Sequence, residues 1–212
     1  MIPPPALIAI SDTERAPLQV WLESLERLLA AAAPGSVLVL LRDRQLPVLR
    51  RRELGVVLRR ATSAHGQLLS VGDRLDLALA LGADAVHLSE DSVDVSDARA
   101  FASRHAPRLW ISRACHEPAD VAHGGADAVL LSPVAAPRKG RPALGTAGVA
   151  RARAALAAVP GGAAPALYAL GGVDASNAAE IRAAGADGVA LIGALLEPGA
   201  PHALVTALGV RR

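Results

Sequence analysis

The side chains best suited to chemistry fall in short clusters, each just after an apolar run. Arg42-Asp43-Arg44 sets two guanidinium groups beside one another, and guanidinium grips carboxylate or phosphate as a two-pronged fork. Gly72-Asp73-Arg74 and Ser89-Glu90-Asp91-Ser92 offer carboxylates. Arg113, Cys115 and His116 form a further cluster, and imidazole, with an ordinary pKa of about 6.5, suits proton transfer near neutral pH. Ser132-Pro133 leads into a loop carrying Arg138, Lys139 and Arg141. Gly171-Gly172 and Gly193-Ala194 let backbone N–H groups approach a phosphate with no side chain in the way. Each feature also has a plainer reading. The glycine pair can be a tight turn, with Asp174 or Ser176 as a helix N-cap, and a lone loop histidine can be structural.

What positions these clusters is an alternation of short apolar runs and helical patterns. Residues 6–10, Val37–Leu41 and residues 68–71 read as the first three strands, each followed by helix-spaced leucines or alanines. Helices are expected over 17–33, 47–60 and 74–81, with Pro34-Gly35 stopping the first. Three related stretches then recur: GADAVHLS from Gly82, GADAVLLS from Gly125 and GADGVALI from Gly185. In each, the glycine ends a helix and the apolar run enters a buried strand. Asp84, Asp127 and Asp187 are therefore expected at helix-to-strand turns, away from the chemistry. Further strands are expected at 109–111 and Ala166–Leu170, and helices over Val95–His105, Pro118–Ala122, 148–158, 175–184 and 201–208.

About eight strand–helix units in 212 residues predict an α/β protein, a (β/α)8 TIM barrel forming a single domain over residues 1–212. An open doubly wound sheet is the alternative, but no Gly-x-Gly-x-x-Gly follows the first strand. Barrel active sites sit after the C-terminal ends of the strands, where all the clusters above fall. Phosphate is commonly held after strands seven and eight.

Composition narrows the partners. One cysteine, Cys115, excludes an intrachain disulfide and points to a reducing cytoplasm. The N-terminal MIPPPALIAISD lacks a signal-peptide pattern, and no run reaches a membrane span, so a cytoplasmic protein is expected. Aromatic residues are only 2%, which leaves few surfaces for stacking nucleic-acid bases. Arg50, Arg51, Arg52, Arg59 and Arg60 read as a solvated helix face rather than a nucleic-acid patch. His87 lies inside a strand and reads as a satisfied barrel-interior or helix-facing histidine. Cys115 and His116, adjacent in extended chain, should point to opposite faces. His65, His105, His123 and His202 lack metal-ligand spacing. The leucine-rich outer helices leave a homodimer open.

In combination these motifs resemble the thiamin phosphate synthase family, including its paralogue TenI, a thiazole tautomerase. The family's Arg-(Asp/Glu)-Lys appears as Arg42-Asp43-Arg44, and its Asn-Asp-Arg as Gly72-Asp73-Arg74. Its loop after strand six appears as LLSPVAAPRKGRPALG, and its glycine-rich end as ALGGVDASNAAEIRAAGADGVALIGALL. The resemblance implies a thiazole phosphate as ligand. In a synthase, hydroxymethylpyrimidine diphosphate is joined to it with loss of pyrophosphate, using Mg²⁺. Asp73 matches one family Mg²⁺ ligand; the second falls on Ser92, with Asp91 available only by a one-residue shift.

The chain departs from the synthase pattern on the pyrimidine side. Leu40 stands for the expected Gln, Gly72 for the Asn and Ala114 for the Ser, and the loop after Pro133 is shorter. These departures make a TenI-like tautomerase the first expectation and a divergent synthase the alternative. A non-catalytic phosphometabolite-binding protein is a further one. In the first, the resemblance casts His116 as general acid/base and Arg42 or Arg44 as carboxylate anchors. Lys139, Gly171, Gly172, Gly193 and Ala194 join the arginines as substrate- and phosphate-binding residues. Asp73 and Asp91 matter as metal ligands only in the synthase.

Overall fold

The computed structural model describes residues 3–122, 124–158 and 164–212; His123 lies outside the described residues. Eight parallel strands close a barrel in chain order. They are β1 (Leu7–Ile10), β2 (Val37–Leu41), β3 (Leu68–Gly72), β4 (Ala85–Leu88), β5 (Trp110–Cys115), β6 (Ala128–Leu131), β7 (Ala166–Leu170) and β8 (Gly188–Leu191). Around them run α1 (Leu18–Ala31), α2 (Val48–Ala64), α3 (Leu75–Ala80), α4 (Val95–His105), α5 (Gly145–Ala157), α6 (Ala178–Ala183) and α7 (Ala200–Ala207). Short 3-10 turns at Pro118–Ala122 and Ala194–Leu196 follow β5 and β8. The expected (β/α)8 barrel is the fold. Among the described residues no helix is long and apolar enough to cross a membrane.

The strands read as continuous apolar runs because both faces are buried. Alternate residues divide between two cores. Ile8, Ile10, Leu38, Leu40, Leu130 and Tyr168 fill the barrel, while Leu7, Val37, Val39, Leu41 and Leu69 pack outward on the helices. Tyr168 is the largest interior group beside Trp110, meeting it edge-on with ring centroids 6.1 Å apart. Its hydroxyl donates to Pro5 O at 2.7 Å. Gly188 makes room for this ring: a Cβ there would lie 2.6 Å from Tyr168 Cε1.

The repeated Gly-Ala-Asp has a structural cause. Each aspartate accepts the N–H of a residue in the preceding strand and pairs with an arginine from a neighbouring helix. Asp84 takes Leu69 N at 2.9 Å and Arg59 at 2.8 Å. Asp127 takes Ile111 N at 2.7 Å and Arg99 at 2.8 Å. Asp187 takes Leu167 N at 2.7 Å and pairs with Arg153. These half-exposed ion pairs add little by themselves; the hydrogen bond to an otherwise unpaired strand N–H contributes more. The clamps sit at the N-terminal ends of β4, β6 and β8, opposite the clusters that could do chemistry.

Two expectations change. β5 runs to Cys115 rather than stopping at residue 111, because its ladder with β6 pairs Ala114 with Leu130 and Cys115 with Leu131. Backbone pairing carries the strand through Ser112 and Arg113, where the apolar pattern lapses. The basic face of α2 is likewise not all solvated. Arg51 is 6% exposed, and its Nη2 donates to Leu41 O at 3.2 Å and Gly72 O at 2.7 Å. The guanidinium thus ties together the ends of β2 and β3, immediately before Arg42 and Asp73.

Candidate functional site

At the C-terminal ends of the strands the barrel opens into a cavity of about 220 Å³. Strand alternation builds its floor. Ile10, Leu40, Gly72, Ala114, Leu170 and Ile192 border it with apolar surface, and His87 with an imidazole. Arg42, Arg44, Arg138, Lys139 and Arg141 border the same opening, as do Glu90, Asp91 and His116. A flat apolar floor ringed by cations suits a planar molecule bearing anionic arms.

The first two arginines are already engaged. Arg42 Nη2 lies 2.8 Å from Asp12 Oδ2, and Arg44 Nε lies 2.8 Å from Asp73 Oδ2. Either can hold an anion only by sharing its fork with that carboxylate. Asp43, between them, is fully buried and ties the first two loops together, accepting Thr13 N at 2.7 Å and the Ser11 hydroxyl. Asp73 sits at φ 63° and accepts Ser89 N at 2.9 Å and Ser89 Oγ at 2.8 Å. Burial pushes its carboxyl up, but these bonds and Arg44 outweigh burial and hold it below the ordinary carboxylate range.

His116 follows β5 directly, as expected. Its Nδ1 lies 2.7 Å from Ser132 O, an acceptor only, so Nδ1 carries a hydrogen. Nε2 faces the Glu90 carboxylate at 3.3 Å, and Arg141 Nη2 reaches Glu90 at 3.1 Å. Cys115 belongs to the outer core, and its thiol contacts Glu117 O. Burial pushes that thiol up, away from nucleophilic character.

The glycine-rich end forms a second, adjoining cavity of about 950 Å³ that shares Arg138, Leu170, Gly171 and Ile192 with the first. Gly172, Gly193 and Ala194 border it, together with Arg15, Asp174 and Glu197. Among the described residues the N–H groups of Gly172 and Gly193 have no protein acceptor. Asn177 Nδ2 donates to Gly172 O at 3.0 Å, and Asp174 accepts Ser176 N at 2.8 Å, so the turn is held from behind. The turn reading thus holds alongside the open N–H groups, whereas the residue at the N-cap of α6 is Asn177 rather than Asp174 or Ser176. A Cβ on Gly193 would lie 2.9 Å from Arg15 Nη1, which places that guanidinium over Gly193. The turn after β8, Ala194–Leu196, is too short to add much helix dipole, so N–H groups and cations must hold any anion here.

Sequence reasoning missed Arg15 and Asp12, on the loop after β1. The signal was present, since that loop also opens at the C-terminal strand ends, but nothing in Ser11-Asp12-Thr13-Glu14-Arg15 marks which residue turns inward. Lys139 lies at the exposed tip of the loop after β6, at φ 50°.

Mg²⁺ needs only one or two carboxylates beside phosphate oxygens and water. Among the described residues no cluster of three or more acidic, histidine or cysteine side chains forms a metal cage. Asp73 Oδ2 keeps a lone pair beyond its contact with Arg44, which borders the opening, and Asp91 is exposed at that opening. This donor set fits a cation that arrives with phosphate oxygens of its own.

Fold and opening together define a (β/α)8 barrel with a cation-rimmed mouth over an apolar floor. The chain belongs to the thiamine monophosphate synthase family, whose sequence profile matches residues 7–195. It is 37% identical over 179 residues to a thiamine-phosphate synthase of Gloeobacter violaceus, covering 82% of this chain and 50% of that one. It is 38% identical over 175 residues to a thiamine-phosphate synthase of Methanoculleus marisnigri, covering 80% of this chain and 78% of that one. The chain thus spans about half the length of the Gloeobacter protein. A solved thiamine phosphate pyrophosphorylase from Pyrococcus furiosus superposes with a TM-score of 0.76 at 26% identity, covering 96% of this chain and 95% of that one.

Proposed function

We propose that this chain is a divergent thiamin phosphate synthase that couples hydroxymethylpyrimidine diphosphate to a thiazole phosphate. The observation that supports the reading is that two adjoining cavities each border groups suited to an anion. Gly172, Gly193 and Arg15 border one, and Arg44, Arg138, Lys139 and Arg141 border the other. The names of the relatives support coupling over the tautomerase that the residue departures alone favour.

In the reaction the C–O bond between the pyrimidine methylene and the diphosphate breaks, and its electron pair leaves with pyrophosphate. The thiazole nitrogen supplies the pair for the new C–N bond. Opposite charge placed where the leaving group gathers charge is the main aid a protein can give such a step. Arg44, Arg138, Lys139 and Arg141 supply it here. Gly172 and Gly193 N–H groups and Arg15 fix the thiazole phosphate and so aim the ring across the floor. Asp73, helped by Asp91, would hold Mg²⁺ on the diphosphate, where the ion would draw charge from the leaving group. Leu40, Gly72 and Ala114 offer the pyrimidine no side-chain hydrogen bond, so its grip is reduced relative to the family pattern.

The test is pyrophosphate release with both substrates, and growth of a strain lacking its own synthase. Release and rescue are expected; their absence with purified, folded protein overturns the reading. One observation favours the tautomerase as a second reading: His116 is oriented by Ser132 O, with Nε2 turned toward Glu90. Conversion of a thiazole carboxylate phosphate between tautomers without pyrophosphate release would establish it. Binding with neither reaction would leave a phosphometabolite-binding protein.

A further inference from the structure

Asp12, two residues beyond β1, is buried behind the rims of the two cavities, and one of its oxygens is shared between them. Arg42 Nη2 lies 2.8 Å from Asp12 Oδ2, and Arg15 Nε lies 3.2 Å from the same atom. Arg42 borders the mouth and Arg15 the glycine-rich cavity, so a single carboxylate oxygen serves a cation of each. The carboxylate is held in place from both sides. Asp43 accepts the Ser11 hydroxyl before it and Thr13 N and Oγ1 after it, and Arg42 N donates to Ser11 Oγ at 3.0 Å. The arginine side chains are 46% and 29% exposed against 7% for Asp12, so the cations can turn to a ligand and the anion beneath them cannot follow.

A fixed anion shared by two movable cations makes their charges interdependent. An anion in the glycine-rich cavity draws Arg15 off Asp12, and Asp12 then holds Arg42 harder. Arg42 is correspondingly less available to an anion at the mouth. The effect runs equally in reverse, because linkage between two binding equilibria is reciprocal. We propose that Asp12 is a positioning residue that links the two cavities antagonistically, so that an anion seated in one weakens the hold on an anion in the other. It acts through Arg15 and Arg42. Its use in turnover rests on the reaction proposed above: the phosphate of the seated product loosens the pyrophosphate left at the mouth, which departs first.

The experiment measures binding without turnover. The full chain is titrated calorimetrically with pyrophosphate, alone and at rising fixed concentrations of a thiazole phosphate, with no pyrimidine present. In wild type the pyrophosphate Kd is expected to rise by about 5-fold or more and then level off, the lower end of the range for linked sites. Levelling separates two linked sites from one shared site, at which the Kd climbs without limit. Direct repulsion between the two anions has the same sign, so Asp12→Asn decides the cause. Asparagine keeps the shape and an acceptor oxygen and removes the charge. In that variant each ligand alone should bind more tightly, and the levelled rise should fall well below that of wild type. An Asp12 that only braced its loop would give the opposite, weaker binding of both ligands. Circular dichroism and the melting temperature check the fold. A wild type with no rise, with a rise that never levels, or with no binding of one ligand overturns the proposal without recourse to the variant. A folded Asp12→Asn that binds both ligands more weakly, or keeps the full rise, overturns it as well. A levelling rise in a protein that releases no pyrophosphate from its two substrates refutes the reaction and leaves Asp12 standing, whereas release with no rise does the reverse.

Discussion

Arg15→Ala probes the phosphate end of the site. Arg15 sits over Gly193 with Nη1 2.9 Å from where a Cβ would stand, and its only carboxylate contact is Asp12 at 3.2 Å among the described residues. A unit charge about 4 Å from a phosphate oxygen is worth about 1 kcal/mol in water and about 4 kcal/mol at an effective dielectric near 20. The side chain is 46% exposed, and Asp12 also pairs with Arg42, so the lower figure applies. About 1 kcal/mol corresponds to roughly 5-fold weaker binding. The assay is titration with a thiazole phosphate at low and high salt. The penalty should shrink in about 1 M salt, where the screening length falls to about 3 Å. An unchanged Kd at low salt would remove Arg15 from the anion site and undo the reading of this cavity.

The two glycines of that cavity should behave differently. At Gly172, φ is 73° and a Cβ would lie 2.5 Å from Ala136 Cβ, so Gly172→Ala should lower stability by about 1–3 kcal/mol in urea unfolding. At Gly193, φ is −82° and the obstruction is the movable end of Arg15, so Gly193→Ala should leave stability unchanged and weaken phosphate binding. His116→Ala should leave coupling near the wild-type rate while slowing any tautomer conversion by roughly 10²–10⁴-fold, followed by NMR; a collapse of coupling would place His116 in the transfer step instead. His87 predicts the pH profile of stability. Its folded pKa is depressed to about 4, so between about 6.5 and about 4 the unfolded chain takes up a proton that the folded chain refuses. Up to about 3 kcal/mol should be lost across that window as pH falls, with full stability above it and no further loss from this group below it. Urea midpoints at pH 7 and pH 4.5 check this: His87→Phe should lose less stability on acidification than wild type, and an equal loss would refute the assignment.

The barrel was legible in the chain because its causes are local. Gly82 and Gly185 follow α3 and α6, Gly125 follows only the 3-10 turn Pro118–Ala122, and the apolar runs after all three are long enough only for buried strands, so the alternation and its count could be read directly. The rule that chemistry follows the C-terminal ends of strands then placed His116, Asp73, Lys139 and the Gly172 and Gly193 turns without any coordinates. What the order of residues does not contain is which groups meet across strands. Arg15 reaches Gly193 only because closure sets β1 beside β8. Arg51 looks like one more solvated arginine until the ends of β2 and β3 present two carbonyls to it. Arg42 and Arg44 look free until Asp12 and Asp73 arrive from other loops. His87 finds its partner only because the β4–β5 register sets Ser112 beside it. Propensity and period act within a few residues and so determine the elements. Partnership between charged and hydrogen-bonding groups acts through space, and only the closed barrel decides it.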